Sequence, residues 1–244
     1  MDCLKWNMFA GGISGLIEVT TTHPIDLLKT RMQSNQTKYL GNPIQYIYSF
    51  YKNEGIFGLY RGYIPRVLGV IPLRIIFWGS QETSNLFLKD YFDNDSYRFI
   101  ISGILAGSFQ SLLDVPIENL KVRMMTSNSS NHHIYKNLFA GFSPNLFRNI
   151  GFTVSLNYFI HKDNDYSNQT ENFFRAATGA MIGSILTQPL DYIKTQLQVT
   201  EPLYLNAKQI ILNTPYHYYF TGTFSRAIMS FINMGIGYSV FYQI

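Results

Sequence analysis

The chain has a single cysteine, Cys3, in 244 residues. One thiol excludes an internal disulfide framework and a cysteine-based zinc site. Charge is also scarce. Asp, Glu, Lys and Arg make up 14% of the residues, against about 25% in an average soluble domain. The net charge is +4 and the isoelectric point about 9.0. No run of Lys and Arg accompanies that excess, so no nucleic-acid partner is expected. Met1-Asp2-Cys3 leads straight into Leu4-Lys5-Trp6, without the charged leader and cleavage site of a secretory signal. Tryptophan is rare, with 2 residues against 19 Phe and 18 Tyr. What is plentiful is apolar: 46% of the chain is hydrophobic. A mean hydropathy of −0.01 is too high for a disordered chain and low for a uniformly apolar bundle. It fits a membrane protein whose helices each keep one polar face.

The chain repeats itself. Pro24-Ile25-Asp26-Leu27-Leu28-Lys29-Thr30-Arg31 is followed by Pro116-Ile117-Glu118-Asn119-Leu120-Lys121-Val122-Arg123 and by Pro189-Leu190-Asp191-Tyr192-Ile193-Lys194-Thr195-Gln196. The shared pattern is Pro-x-acid-x-x-Lys-x-(Arg/Gln), and such internal periodicity dominates any reading of the fold. Upstream of each proline lies a GxxxG pair in an apolar stretch: Gly11 and Gly15, Gly103 and Gly107, Gly179 and Gly183. Small residues at this spacing let neighbouring membrane helices approach closely. Downstream, Glu54-Gly55-Ile56-Phe57-Gly58-Leu59-Tyr60-Arg61-Gly62 keeps only its end in the later copies, as Phe139-Ala140-Gly141 and Phe220-Thr221-Gly222. Six long helices are predicted near 6–33, 62–88, 97–125, 141–162, 171–197 and 220–243, each long enough for the ~20 residues of a bilayer crossing. Pro43 to Asn53 reads as a short amphipathic surface helix through Ile44, Ile47, Tyr48 and Tyr51, with a counterpart over Asn206 to Asn213. The segment between Arg123 and Phe139 leaves little room for a third.

These motifs resemble the mitochondrial carrier family over essentially the whole chain. The resemblance implies an all-α membrane protein of six transmembrane helices, arranged as three two-helix repeats with pseudo-threefold symmetry. The repeats would be 1–92, a shortened 93–165, and 166–244, together forming one transmembrane domain. It also implies a multi-pass monomer of the mitochondrial inner membrane, bound by lipid, that exchanges anionic small molecules and is not an enzyme. No cofactor and no metal are expected.

Proline removes a backbone donor and crowds the preceding turn, so Pro24, Pro116 and Pro189 are expected to kink the odd helices. Their C-terminal halves then meet on one side. By resemblance Asp26–Lys121, Glu118–Lys194 and Asp191–Lys29 form a ring of ion pairs that closes the matrix side. Facing water, each pair is expected to be worth about 0–1 kcal/mol. Gln33 and Gln198 match positions where the family braces such pairs, and Met125 fills the middle position. Read singly, each octapeptide is equally a solvated helix end. The opposite gate is degenerate: Gln81-Glu82-Thr83-Ser84-Asn85 keeps only the acid, Ile160-His161-Lys162-Asp163 departs further, and the last helix ends at Phe241-Tyr242-Gln243-Ile244. A cytosol-open resting state is the expectation.

Seven residues past Gly62, Gly141 and Gly222 stand Gly69, Arg148 and Met229, the family's substrate-contact positions. Arg148-Asn149 resembles a pair common in carriers of keto acids and carboxylates. Arg66 and Arg226 lie one turn earlier, and Arg74 follows Pro72 by two. Charged residues within membrane spans are costly and therefore point to function, and arginine's planar fork fits carboxylate and phosphate. The competing roles for these arginines are ion pairs with Glu18 or Asp114, or snorkelling to the interface. Glu18 is read as a proton site, a partner of a cavity arginine or a neutral packing residue. Asp114 is read as part of the inner gate. Nucleotides and keto or dicarboxylates both suit such a cavity, with Tyr158 or Tyr238 able to stack on a base. A carrier-like scaffold without transport is the competing class. His132-His133 and the Asn-x-(Ser/Thr) triplets at Asn35, Asn94, Asn128 and Asn168 carry no function on this reading.

Overall fold

The computed structural model describes residues 2–34, 43–92, 94–126, 137–160, 169–199 and 202–243. These residues form helices joined by short turns and no strands. The long helices are α1 (Asp2–Ser34), α3 (Tyr63–Leu88), α4 (Asp95–Thr126), α5 (Phe142–Ile160), the pair α6 (Gln169–Leu186) and α7 (Gln188–Gln198), and α9 (Thr223–Gln243). The short ones are α2 (Pro43–Gly58) and α8 (Ala207–Asn213). Both surface helices stand where the sequence places them, and α2 runs on past Asn53 through a non-helical Gly55 at φ 68°. The stretch between Arg123 and Phe139 that lacks room for a third lies largely outside the described residues, as do His132-His133, Asn35, Asn128 and Asn168.

The three prolines stand in different local settings. The third odd helix breaks at Thr187 (φ −90°, ψ 5°), and Pro189 opens the first turn of α7, where its missing N–H needs no partner. Helices α1 and α4, by contrast, continue through Pro24 and Pro116.

Packing runs in a closed circuit: α1 on α3, α3 on α4, α4 on α5, α5 on α6, α6 on α9 and α9 back on α1. The GxxxG stripes make these approaches. A Cβ on Gly103 would lie 2.5 Å from Asn157 Nδ2, and one on Gly179 would lie 2.8 Å from Phe159 Cβ. Hydroxyls seal the same seams, Thr153 Oγ1 donating to Gly103 O at 3.0 Å and Ser155 Oγ to Gly179 O at 3.1 Å. The odd helices also meet one another, α1 with α4 and α7, and α4 with α7. They do so at their C-terminal ends, because the contacts there are made by the three octapeptides.

The inside is polar and the outside apolar. Among the described residues, buried polar and charged side chains outnumber buried apolar ones. On α3, Ile64, Leu68, Ile71 and Ile75 form an exposed stripe at helical spacing, and Leu105, Phe109 and Leu112 do the same on α4. A soluble monomer rarely leaves such a belt to water. By length and composition one described helix, Tyr97–Thr126 with mean hydropathy 1.5, is apolar enough to cross a membrane by itself. The others are interrupted by the polar residues they turn inward.

Candidate functional site

The three octapeptides converge on one cluster. Lys121 Nζ donates to Asp26 Oδ2 at 2.8 Å. Lys194 pairs with Glu118, and Lys29 with Asp191. Lys121 also reaches Glu118 Oε1 at 3.3 Å, which links the first two pairs, and Arg148 Nη1, 3.7 Å from Glu118 Oε2 and 3.2 Å from Asp191 Oδ1, joins the third to them. The expectation that they face water is corrected: side-chain exposure runs from 2% at Asp191 and Lys194 to 14% at Asp26. Such pairs carry large opposing desolvation and Coulomb contributions, and stripping one partner leaves a buried charge behind.

The two glutamines differ. Gln33 Nε2 donates to Asp191 Oδ2 at 3.4 Å and to Thr221 O at 3.2 Å, next to the Lys29 pair. Gln198 Nε2 instead points at Ala140 O, 3.5 Å away. Among the described residues its side chain makes no hydrogen bond to Glu118 or Lys194. Met125 is fully buried against Leu27.

Beside the ion pairs runs a second cycle that the sequence pattern contains but gives no role. Arg31 Nε donates to Met125 O at 2.7 Å, Arg123 Nε to Gln198 O at 3.3 Å, and Gln196 Nε2 to Gln33 O at 2.5 Å. Each donor is the last residue of one octapeptide, and each acceptor lies two residues past the end of the next. The signal was the shared final Arg/Arg/Gln of the motif. The acceptors are main-chain carbonyls, which leave no trace in side-chain identity.

The three downstream glycines fit under this cluster. Gly62, Gly141 and Gly222 all have positive φ, at 76°, 73° and 83°, and open α3, α5 and α9. A Cβ on Gly62 would meet Lys121 O at 2.7 Å, and one on Gly222 would meet Lys29 Cγ at 2.9 Å. Glycine is demanded there twice, by backbone geometry and by space.

A cavity of about 340 Å³ opens between the helices, with the ion pairs in its wall. Arg66, Arg74, Arg148, Asn149, Arg226 and Met229 also line it. Gly69 does not. Its α-carbon faces α4, where a Cβ would meet Ile117 at 2.8 Å, and the neighbouring Val70 takes the wall position. The contact expectation at Gly69 is thus corrected, since a helix has only one side to give.

Each arginine has its own surroundings. Arg74 pairs with Glu18, which answers the question of Glu18's partner. Arg66 Nη1 is 3.7 Å from both Asp114 Oδ1 and Glu118 Oε1. Arg148 holds Asp114 Oδ2 at 3.0 Å, Asp191 Oδ1 at 3.2 Å and Asn149 Oδ1 at 2.8 Å. Asp114 therefore sits with the arginines and not in the lysine network. Among the described residues Arg226 bonds only neutral partners, Thr187 Oγ1 at 2.8 Å and Gln188 Oε1 at 3.4 Å. Tyr158 is half exposed beside Phe159 and does not line the cavity. The side chain of Tyr238 and those of the opposite gate, Glu82 and the ends of α5 and α9, lie outside the described residues.

Helices that hide charge and expose apolar stripes, around a cavity with ion pairs in its wall, describe a membrane transporter. The description "Mitochondrial carrier protein" belongs to the family that matches residues 6–92 and 166–244, more than half of the chain, and the chain is a member of that family. It is a family of multi-pass transporters of the mitochondrial inner membrane and not of enzymes. Among its relatives is the mitochondrial 2-oxodicarboxylate carrier of Rattus norvegicus, 29% identical over 80% of this chain and 75% of the relative. The mitochondrial aspartate-glutamate transporter of Saccharomyces cerevisiae is 29% identical over 80% of this chain and 25% of its own length. A probable calcium-binding mitochondrial carrier of Caenorhabditis elegans shares 29% over 80% of this chain and 31% of its own. The chain thus spans a third or less of the length of these last two.

Proposed function

We infer that this chain exchanges small dicarboxylate anions across the mitochondrial inner membrane by alternating access. Its six long helices act as three two-helix repeats about a pseudo-threefold axis. The observation that carries the substrate class is the charge of the cavity wall. Five carboxylates (Glu18, Asp26, Asp114, Glu118, Asp191) face seven cations (Lys29, Lys121, Lys194, Arg66, Arg74, Arg148, Arg226), an excess of two positive charges. A dianion neutralises that excess. The cavity's size agrees, since 340 Å³ lies at the small end of the ~300–1,000 Å³ of small-molecule sites and suits a dicarboxylate better than a nucleotide. Relatives named as 2-oxodicarboxylate and aspartate-glutamate carriers point the same way.

In this reading the network of Asp26–Lys121, Glu118–Lys194 and Asp191–Lys29 is the matrix gate, closed here, and the carrier at rest is open to the cytosol. Arg148 and Arg226, on α5 and α9, grip the two ends of the substrate, with Asn149, Met229, Arg66 and Arg74 around them. Liposomes carrying the purified protein test this. Saturable uptake of a labelled 2-oxodicarboxylate is expected against internal dicarboxylate, with no uptake of adenine nucleotides. Arg148→Ala should lower apparent affinity by about ten- to a hundredfold, since a charge-assisted contact is worth roughly 1.5–3 kcal/mol. Nucleotide uptake without dicarboxylate uptake defeats the substrate class. No uptake of any solute by well-folded protein defeats transport and leaves the scaffold reading.

A further inference from the structure

Asp114 is the one acid of the cavity wall whose partners are neither the motif lysines nor Arg74. Its carboxylate is 4% exposed and collects donors from two neighbouring helices. On Oδ2 converge Arg148 Nη2 at 3.0 Å, Asn149 Nδ2 at 3.2 Å and Asn145 Nδ2 at 3.3 Å. On Oδ1, Arg66 Nη1 stands at 3.7 Å. Two guanidinium groups, each offering one nitrogen, and two amides around one carboxylate make up a carboxylate-recognition site: cations for charge on both oxygens, and amide donors beside Arg148 on Oδ2. It opens on the cavity in which the substrate must bind. A site for a substrate carboxylate and the seat of Asp114 are therefore the same set of donors.

We propose that Asp114 is a tethered stand-in for one substrate carboxylate, which the incoming dianion displaces from Arg148. This rests on the dicarboxylate reading above. Arg148 keeps Asp191 Oδ1 at 3.2 Å from its Nη1, so it is not left a bare cation within the membrane, where an unpaired charge is costly; at its Nη2 it exchanges one carboxylate for another. The substrate gains only the difference between its own contacts and those Asp114 gives up. Asp114 thereby sets both the affinity and the preferred charge of the substrate. When it lets go of Arg148 it still has Arg66 and Asn145 within reach, so the displaced acid is not abandoned.

Two substitutions of Asp114 should move KM in opposite directions. Asp114→Asn keeps the shape and removes the competing charge. It raises the wall's excess of positive charge from two to three, so KM for a 2-oxodicarboxylate should fall by about tenfold and a tricarboxylate should gain uptake relative to it. Asp114→Glu carries the carboxylate one methylene further towards Arg148, competes better, and should raise KM. A residue that merely braces the fold would lower the maximal rate in both variants and shift KM in the same direction in both. Uptake kinetics of both variants in liposomes, with thermal stability of the detergent-solubilised proteins as the check on folding, decide the matter. An unchanged or raised KM in Asp114→Asn overturns the inference. If that variant does not fold, an unchanged or lowered KM in Asp114→Glu does the same. Wild-type protein that takes up no dicarboxylate overturns the underlying function instead, and the two failures are told apart by that first arm.

Discussion

Lys121 shows what a buried network does to a simple charge swap. Asp26 is its partner across helices, yet Glu118 lies within 3.3 Å of the same ammonium. Asp26→Lys alone should abolish uptake, because it places two cations together at a buried point where the acid that remains, Glu118, is already shared between Lys121 and Lys194. Adding Lys121→Asp restores the Asp26 pairing in reverse but sets the new carboxylate beside Glu118, where like charges repel. Partial rescue is therefore expected in liposome uptake, with less activity regained than a swap of an isolated pair would give. Truncating one member, as in Lys121→Ala, should cost about 3–5 kcal/mol of the closed state, read as loss of thermal stability and as leak through the liposome membrane. Full activity of Asp26→Lys by itself would show that the two do not act together.

Helix ends are the next scale, and here the sequence was least informative. Acid and lysine three apart in three phased copies marked the charged residues, and the family resemblance supplied which of them pair between helices. The bonds of Arg31, Arg123 and Gln196 could not be read, because half of each is a carbonyl that any residue supplies. Gly69 misled for a related reason: counting residues from Gly62 gives the turn of α3 but not which side of that turn faces Ile117. The pattern of the downstream glycines was legible as a motif, though its cause, a left-handed residue lodged against a lysine of another helix, needed the packing. Gly222→Ala tests that cause. Its φ of 83° is strained for alanine, and the added methyl would strike Lys29 Cγ at 2.9 Å. The variant should displace Lys29 from Asp191 and lower thermal stability by more than the ~1 kcal/mol that glycine-to-alanine changes move in open helices. Gly79 is the control: it lies mid-helix, and a Cβ added there would meet nothing within 4 Å. Gly79→Ala should be neutral or stabilising.

For the whole molecule, the governing quantity is the charge of the cavity, because the apolar belt outside leaves no other place for the ions to be. Arg226 is the cation through which this can be tested with least collateral damage. It is held by Thr187 and Gln188, and among the described residues it makes no ion pair, so its loss orphans no carboxylate. Arg74, by contrast, could not be removed without stranding Glu18. Arg226→Gln lowers the excess of positive charge on the wall from two to one and keeps a donor for the Thr187 hydroxyl. The dianion then meets a wall that neutralises only half of its charge, while a monocarboxylate of the same length meets one that matches it. Uptake of the dicarboxylate should fall by about tenfold, one charge-assisted contact being worth roughly 1.5–3 kcal/mol, and uptake of the monocarboxylate should fall less or rise. Thermal stability should stay close to wild type, which separates lost recognition from lost folding. If both anions lose uptake in equal proportion, Arg226 contributes a generic attraction and the balance of the wall does not choose the substrate. If neither changes, Arg226 does not hold the anion, and the carboxylate not gripped by Arg148 is held by the lysines of the gate.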